Sequence, residues 1–553
     1  MQSFTPKLIS TLREGYDART FRADVLAGLT VAIVALPLAM ALGIASGASP
    51  DKGLVTAVIA GFLISALGGS RTQVGGPTGA FVVVIFNVIA QHGYDGLLIA
   101  TSMAGVILFV AGIARLGQMI KFIPHPVVTG FTAGIAVIIA SSQVKDFLGL
   151  SMRSVPADFL PKWQAYFGAL STVQFVTVCV GLGALATIVI LRRLAPRLPG
   201  FLIAVLLASI VVAVLKLPVD TVGSRFPEMP AGLPMPALPQ FTLAKIQELL
   251  PAAFTIAFLA GIEALLSAVV ADGMTGTRHR SNQELVGQGI ANMASSLFGG
   301  LPATGAIART ATNIKAGAKT PVAGIAHAVF LLLFILFATD LMAYVPMAAL
   351  AAILFMVAWG MSEYERFTAL LSMPNSDRGI LLLTFGLTVL VDLTVAIGVG
   401  VTAASLLFMA RMSETVQIEN DNDLSDARDL DGEDLSQRDA LPDGVEVFRI
   451  SGPFFFGVAG ELLDALRRLG QTPKILILRM REVPLLDASG VAGVHEFVIQ
   501  ARRAGAQIIF SGVRTQPMEM LRRGKLDEAG SSLHFVESFD DAVRKAEVLV
   551  GRV

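Results

Sequence analysis

Glu263 lies inside an apolar run, Phe254-Thr-Ile-Ala-Phe-Leu-Ala-Gly-Ile-Glu-Ala-Leu-Leu-Ser-Ala-Val-Val-Ala271. A run of that length and character is long enough to cross a bilayer. A carboxylate at that depth is costly and ordinarily faces a polar cavity on an ion or proton path. Further on, Gly299-Gly-Leu-Pro-Ala-Thr-Gly-Ala-Ile-Ala-Arg-Thr310 interrupts an apolar segment with glycines and a proline, and an arginine follows. An acid and a base at membrane depth, beside a broken helix, point to coupled movement of an anion. Burial disfavours the charged form of a carboxyl, so Glu263 is expected to be the proton-coupling group. Ser267 lies one helical turn on, on the same face.

The elements that must hold these residues are membrane spans. Apolar stretches run over 25–45, 53–69, 79–91, 97–114, 126–143, 173–191, 199–216, 252–271, 285–298, 305–315, 322–338, 346–360, 379–393 and 395–411. The third and tenth are too short to cross alone. Short, Gly/Pro-interrupted segments at matching places in two halves are a sequence pointer to a transporter's binding site. The halves match here: Gly61-Phe-Leu-Ile-Ser-Ala-Leu-Gly-Gly69 precedes Gly75-Gly-Pro-Thr-Gly-Ala80, and Asn292-Met-Ala-Ser-Ser-Leu-Phe-Gly-Gly300 precedes Pro302-Ala-Thr-Gly-Ala306. Each span ends in Gly-Gly and is followed by Pro, Thr-Gly-Ala and a short helix. A repeat of seven spans is implied, and the odd number makes the second copy inverted.

The expected organisation is an N-terminal segment (1–23), a first membrane repeat (24–216), a proline-rich external link (217–247), a second repeat (248–412), an acidic linker (413–441) and a small soluble α/β domain (442–553). The linker, with Asp429-Leu-Asp-Gly-Glu-Asp434, is too polar to bury a core. In the last domain Val445–Ile450, Lys474–Leu478 and Gln507–Phe510 read as strands, and Glu461–Leu469 and Gly490–Arg503 as helices. Basic residues in the short loops, among them Arg115, Arg192, Arg193, Arg278, Arg280, Lys315 and Lys319, set both termini on the cytoplasmic side of the inner membrane.

Composition excludes other classes. Of 553 residues, 54% are hydrophobic and 15% charged, against about 25% charged in soluble proteins. Net charge is zero, which gives no support for nucleic-acid binding. The single cysteine, Cys179, permits no intrachain disulfide or Cys-based metal site. No nucleophile–base pair, phosphate loop or metal motif is present, so neither an enzyme nor a cofactor is expected.

The sequence resembles the SulP (solute carrier 26) family of anion transporters. The resemblance rests on Ala27-Gly-Leu-Thr-Val-Ala-Ile-Val-Ala-Leu-Pro-Leu-Ala-Met-Ala41, Gly75-Gly-Pro-Thr-Gly-Ala-Phe81, Ile262-Glu-Ala-Leu-Leu-Ser-Ala-Val-Val-Ala-Asp-Gly-Met-Thr-Gly276 and Leu486-Asp-Ala-Ser-Gly490, the last being similar to a STAS domain. From Glu263 through Asn282-Gln-Glu-Leu-Val-Gly-Gln-Gly289 to Ile307-Ala-Arg-Thr310 it is most similar to bacterial dicarboxylate transporters of the DauA type. The resemblance implies an all-α membrane domain of seven-plus-seven inverted repeats with the UraA-like core and gate, an elevator-type movement, a homodimer and a STAS domain open to a cytoplasmic partner. It implies import of a C4-dicarboxylate such as fumarate or succinate with protons. The alternatives are sodium-coupled bicarbonate or proton-coupled sulfate uptake, an anion channel or motor, and a signalling scaffold acting through the STAS domain.

The same resemblance sets the substrate between the facing N-termini of the third and tenth helices, whose unpaired N–H groups attract anions. Thr78, Gly79, Ala80 and Phe81 form one side, and Thr304, Gly305 and Ala306 the other. Arg309 supplies a permanent positive charge. Pro37 and Met40, with Leu36 and Ala39, come from the first span. A sodium ion held by Glu263, Ser267 and Thr304 is the competing ion site. Ser489 occupies a position phosphorylated in related anti-sigma-factor antagonists, or only begins a helix, serine being a good capping type.

Overall fold

The computed structural model describes the chain apart from residues 1–3, 119–123, 153–154, 157, 196–197, 228–231, 392, 421–440, 456–457, 469–472, 527–531 and 552–553. It divides into two compact units, Met1–Thr402 and Ala403–Val553. In chain order the helices and strands up to the second unit are α1 (Lys7–Arg13), α2 (Ala18–Ala45), α3 (Pro50–Leu67), β1 (Gly75–Gly76), α4 (Val82–Ile113), α5 (His125–Leu148), α6 (Phe159–Ala169), α7 (Phe175–Leu194), α8 (Gly200–Leu215), α9 (Val222–Arg225) and α10 (Leu243–Thr275). They continue with α11 (Ser281–Leu297), β2 (Thr304–Gly305), α12 (Ile307–Lys315), α13 (Val322–Phe337), α14 (Thr339–Met342), α15 (Met347–Met361), α16 (Tyr364–Leu371), α17 (Asn375–Leu390) and α18 (Leu393–Glu414).

Every apolar stretch read from the sequence falls on one of these helices. Among the described residues, eight helical stretches are long and apolar enough to cross a membrane. The third and fourth stretches share α4, which bends at Gly93, where φ is 72°. That is a conformation glycine reaches at little cost. Pro37 lies inside α2, which runs unbroken through it, so the amide hydrogen bond that proline lacks is lost without ending the helix. The proline-rich link at 217–247 carries a short helix: Thr221 caps α9 in a reciprocal box with Ser224. Backbone bonds from Val222 to Val345 and from Met347 to Asp220 tie that stretch to the start of α15.

The helices form two bundles. In one, α11 and α10 pack on α4, and α13 on α2 and α3; in the other, α17 and α15 pack on α5, and α15 and α8 on α7. Contacts between the bundles are thinner and run mainly from α2 to α15 and α8. Small residues allow the close approaches inside the first bundle: a Cβ on Gly28 of α2 would meet the Ala323 carbonyl at 2.5 Å, and one on Gly105 of α4 the Gly289 carbonyl at 2.7 Å.

The second unit is a five-stranded sheet in the order β3-β4-β5-β6-β7. Its elements after α18 are β3 (Gln417–Asn420), β4 (Val445–Ser451), α19 (Ala459–Arg468), β5 (Ile475–Glu482), α20 (Ala488–Arg503), β6 (Gln507–Ser511), α21 (Thr515–Arg523), β7 (Leu533–Val536) and α22 (Phe539–Val550). β4 to β7 are parallel, while β3 pairs antiparallel with β4. The linker expected at 413–441 therefore begins with an edge strand. Its Asp429–Asp434 run lies outside the described residues. Phe448, Leu478, Phe497 and Phe510 fill one face of the sheet. The α20 cap is Asp487, whose carboxylate accepts from the Gly490 amide at 2.7 Å. Ser489 is exposed in the first turn and does not serve as the cap.

Candidate anion and proton site

The two breaks meet. β1 and β2 pair antiparallel, with Gly75 opposite Gly305 and Gly76 opposite Thr304. Antiparallel pairing makes the chains leave in opposite directions. A 3-10 turn at Gly79–Phe81 leads into α4, and α12 starts at Ile307, so both helix N-termini are directed at the same middle ground. The first amides of each helix have no intrahelical acceptor, and each end carries the positive pole of its dipole. This is a pair of anion-attracting ends built from backbone.

Backbone polar groups at these breaks are costly to leave unpaired in a lipid environment, and several find partners across the fold. The Ala306 amide donates to Val74 O at 2.9 Å, and the Val74 amide donates to Thr310 Oγ1 at 3.1 Å. Asn292 of α11 both accepts from the Ala303 amide (2.8 Å) and donates to its carbonyl (2.9 Å). Asn313 Nδ2 donates to Thr72 O at 2.8 Å. Thr56 Oγ1 of α3 accepts from the Leu301 amide at 2.6 Å.

One face of α10 receives both breaks. Thr304 Oγ1 donates to Ala260 O at 2.7 Å. Thr78 Oγ1 donates to Glu263 Oε2 at 2.9 Å. Ser267 Oγ and Thr310 Oγ1 share a bond of 3.1 Å. Glu263 is half-buried and makes no ion pair among the described residues. Thr304 and Ser267 are buried, and these bonds turn their hydroxyls to partners other than the Glu263 carboxylate.

Arg309 is 2% exposed. Its Nη2 donates to Pro77 O at 3.2 Å, so its guanidinium reaches from α12 across to the first break. A Cβ on Gly76, where φ is +152°, would collide with Arg309 Nη1. Nε and Nη1 have no hydrogen-bond partner among the described residues. Gly79, Ala80 and Phe81 are buried, and a Cβ on Gly79 would meet Met361 Sδ at 2.6 Å and Ile139 Cδ1 at 3.1 Å. Gly305 lies against the Gln73 side chain. Ile307 and Ala308, at the start of α12, are exposed. A cavity of about 460 Å³ lined by Thr30, Ile33 and Val34 of α2, Arg192 of α7, Phe201 of α8 and Thr312 of α12 opens beside that helix. Pro37 and Met40 are buried in α2, with Met40 in the main apolar core. Nothing in their placement singles them out from core packing.

Several supporting residues escaped the sequence reading. Glu284 is fully buried in α11 and accepts from the Gly69 and Ser70 amides at 2.8 and 3.2 Å. Gln73, Asn292, Asn313 and His327 are buried around the breaks. Both ring nitrogens of His327 lack a partner among the described residues. The available signal was a run of amides and acids, Asn282 to Asn292, in a helix otherwise suited to a membrane.

A helical membrane unit with two paired breaks, an acid and a base beside them that form no ion pair among the described residues, and a small α/β unit define a polytopic anion transporter. The chain belongs to the sulfate permease family, whose model matches residues 21–384, and a STAS domain model matches residues 440–542. It is 43% identical to the putative sulfate transporter YvdB of Bacillus subtilis over 96% of this chain and 98% of that protein. It is 34% identical to the bicarbonate transporter BicA of Picosynechococcus sp. over 92% and 91%. The fold is shared with murine Slc26a9, an anion transporter solved in the inward-facing state, at a TM-score of 0.86 and 18% identity over 98% of this chain and 94% of that one. Its relatives are transporters, not enzymes.

Proposed function

We propose that this protein is a proton-coupled importer of small oxyanions. The observation that carries the reading is the pair Glu263 and Arg309: a carboxyl and a guanidinium at the same break, neither of them in an ion pair among the described residues. A buried charge is tolerated when it is compensated. A proton on Glu263 and an anion at Arg309 and the two helix ends neutralise both groups at once, which couples the loading of one to the other. The engagement of Ser267 with Thr310, and of Thr304 with Ala260, favours a proton over sodium, because the oxygens of a sodium site are not gathered on Glu263. The thin contact between the two bundles supports movement of the α2–α4 and α10–α13 bundle against the other, as in an elevator.

C4-dicarboxylates such as fumarate and succinate are the first substrates we propose, on the resemblance read in the sequence from Glu263 to Thr310. The second reading, sulfate or bicarbonate, is favoured by the names of the relatives YvdB and BicA. All share the chemistry the helix ends and guanidinium select, an anionic oxygen group. The test is uptake of radiolabelled fumarate, sulfate and bicarbonate into proteoliposomes under an inward proton or sodium gradient. Accumulation of one of them driven by protons alone supports the reading. Accumulation that requires sodium, or equilibration without accumulation, overturns it.

A further inference from the structure

We infer that the protein holds a second anion-binding position, centred on Lys162, on the side of the transport site away from the cavity beside α12. The inference rests on the anion-transport reading above. Lys162 belongs to α6, the short helix between α5 and α7, and is 3% exposed. Lysine is almost never buried to that extent without a paired charge. Among the described residues no carboxylate lies within ion-pair distance of it; its ammonium instead sits 5.7 Å from the centre of the Phe86 ring on α4.

Lys162 and Phe86 border a pocket of about 150 Å³ lined also by Lys145, Arg225, Asp146, Gln143 and Asn87. Asp146, the one acid among the described lining residues, is already taken: it pairs with Arg225 at 2.8 Å. Lys145 Nζ donates to Met152 O at 3.2 Å. The two lysines thus leave the lining positive, and amide groups stand beside them. A volume several times the roughly 30 Å³ share of a water molecule accommodates a small hydrated oxyanion. A cation would meet two ammonium groups.

The position relative to the transport site gives the pocket its role. Val82 and Val83, which line it, follow Phe81 directly, and Ile138 precedes Ile139, which packs on Gly79. Helix α2 touches both cavities: Thr30, Ile33 and Val34 line the one beside α12, and Ile44 and Ala45 line this one. At 1.5 Å per residue the two linings lie about 15 Å apart along α2, with the Leu36–Met40 stretch between them. The Lys162 pocket is therefore a waiting position at the opposite end of α2 from the cavity beside α12, where an anion is held before the bundles exchange access.

The experiment is equilibrium binding of radiolabelled sulfate, and in parallel fumarate, to the full-length purified protein. The variants are Arg309→Gln, Lys162→Met, Lys162→Arg and Arg309→Gln with Lys162→Met. The expected result is two sites per chain in the wild type and one in each of Arg309→Gln and Lys162→Met. The double variant should bind at neither site, and Lys162→Arg should restore the second site to within about tenfold of wild-type affinity. Thermal unfolding without ligand should be the same for Lys162→Met and Lys162→Arg. A single site abolished by Arg309→Gln alone overturns the second position and leaves the transport reading standing. A lower unfolding temperature for Lys162→Met, with no rescue of binding by arginine, shows that Lys162 is a structural strut and also overturns it. Wild-type protein that binds neither anion removes the transport reading and this inference together.

Discussion

Glu263 and Arg309 are coupled through what each lacks. Among the described residues the carboxyl has a hydroxyl donor, Thr78, but no cation, and the guanidinium has the Pro77 carbonyl but no anion. In Glu263→Gln the amide still accepts from Thr78 while the site can no longer gain or lose a proton. Exchange of labelled substrate across a membrane without a gradient should persist, and accumulation should be lost. Arg309→Gln should weaken substrate binding at least about tenfold, or 1.4 kcal/mol, measured as the Kd for the transported anion. Ser267→Ala removes a hydroxyl bonded to Thr310. Under the proton reading it leaves ion coupling intact in a gradient-driven uptake assay; complete loss of coupling would favour sodium. Both charges were legible because a charge in an apolar run is conspicuous. Glu284 and Asn292 were not: their partners Gly69 and Ala303 lie 215 and 11 residues away, and nothing in local periodicity announces either bond.

At the scale of the elements, the two breaks are built differently although their sequences repeat. In the second, Asn292 bridges from α11 to both polar groups of Ala303. Its counterpart by sequence order is Gly61, where a Cβ would stand 3.1 Å from the Gly75 carbonyl, so α3 packs directly on its own break. Asn292→Ala leaves a buried N–H and C=O unpaired, at about 1–3 kcal/mol for each. The variant should unfold at lower temperature in detergent and transport more slowly. Gly76→Ala sets a Cβ into the space of the Arg309 guanidinium at a φ that L-residues rarely adopt. It should abolish anion binding in the same tracer assay with less effect on the fold. The Gly-Gly, Pro, Thr-Gly-Ala order disclosed the breaks and their recurrence. Their pairing as β1 and β2 was beyond it, because a two-residue strand has no period to read.

At the scale of the molecule, the membrane unit follows from an apolar pattern strong enough to survive uncertainty at every boundary. The two-bundle division does not, because it depends on which helices meet rather than on where they begin. In the second unit the alternation of strands and helices was legible, whereas β3 was concealed by its polar sequence, Gln-Ile-Glu-Asn. Its register against β4 has a consequence for stability. Residues 442–553 alone would expose the β4 edge, an invitation to further strand pairing, whereas 415–553 keep β3 in place. Size-exclusion chromatography should show the shorter piece aggregating more than the longer one; equal behaviour would mean β3 protects nothing. Central to the whole account is that one carboxyl, Glu263, couples proton and anion. The direct measurement is the pH change inside proteoliposomes, read with a trapped dye, on adding the transported anion outside. The wild type should acidify its lumen in step with substrate entry, and Glu263→Gln should give none while still exchanging substrate. Acidification that persists in Glu263→Gln would contradict the account.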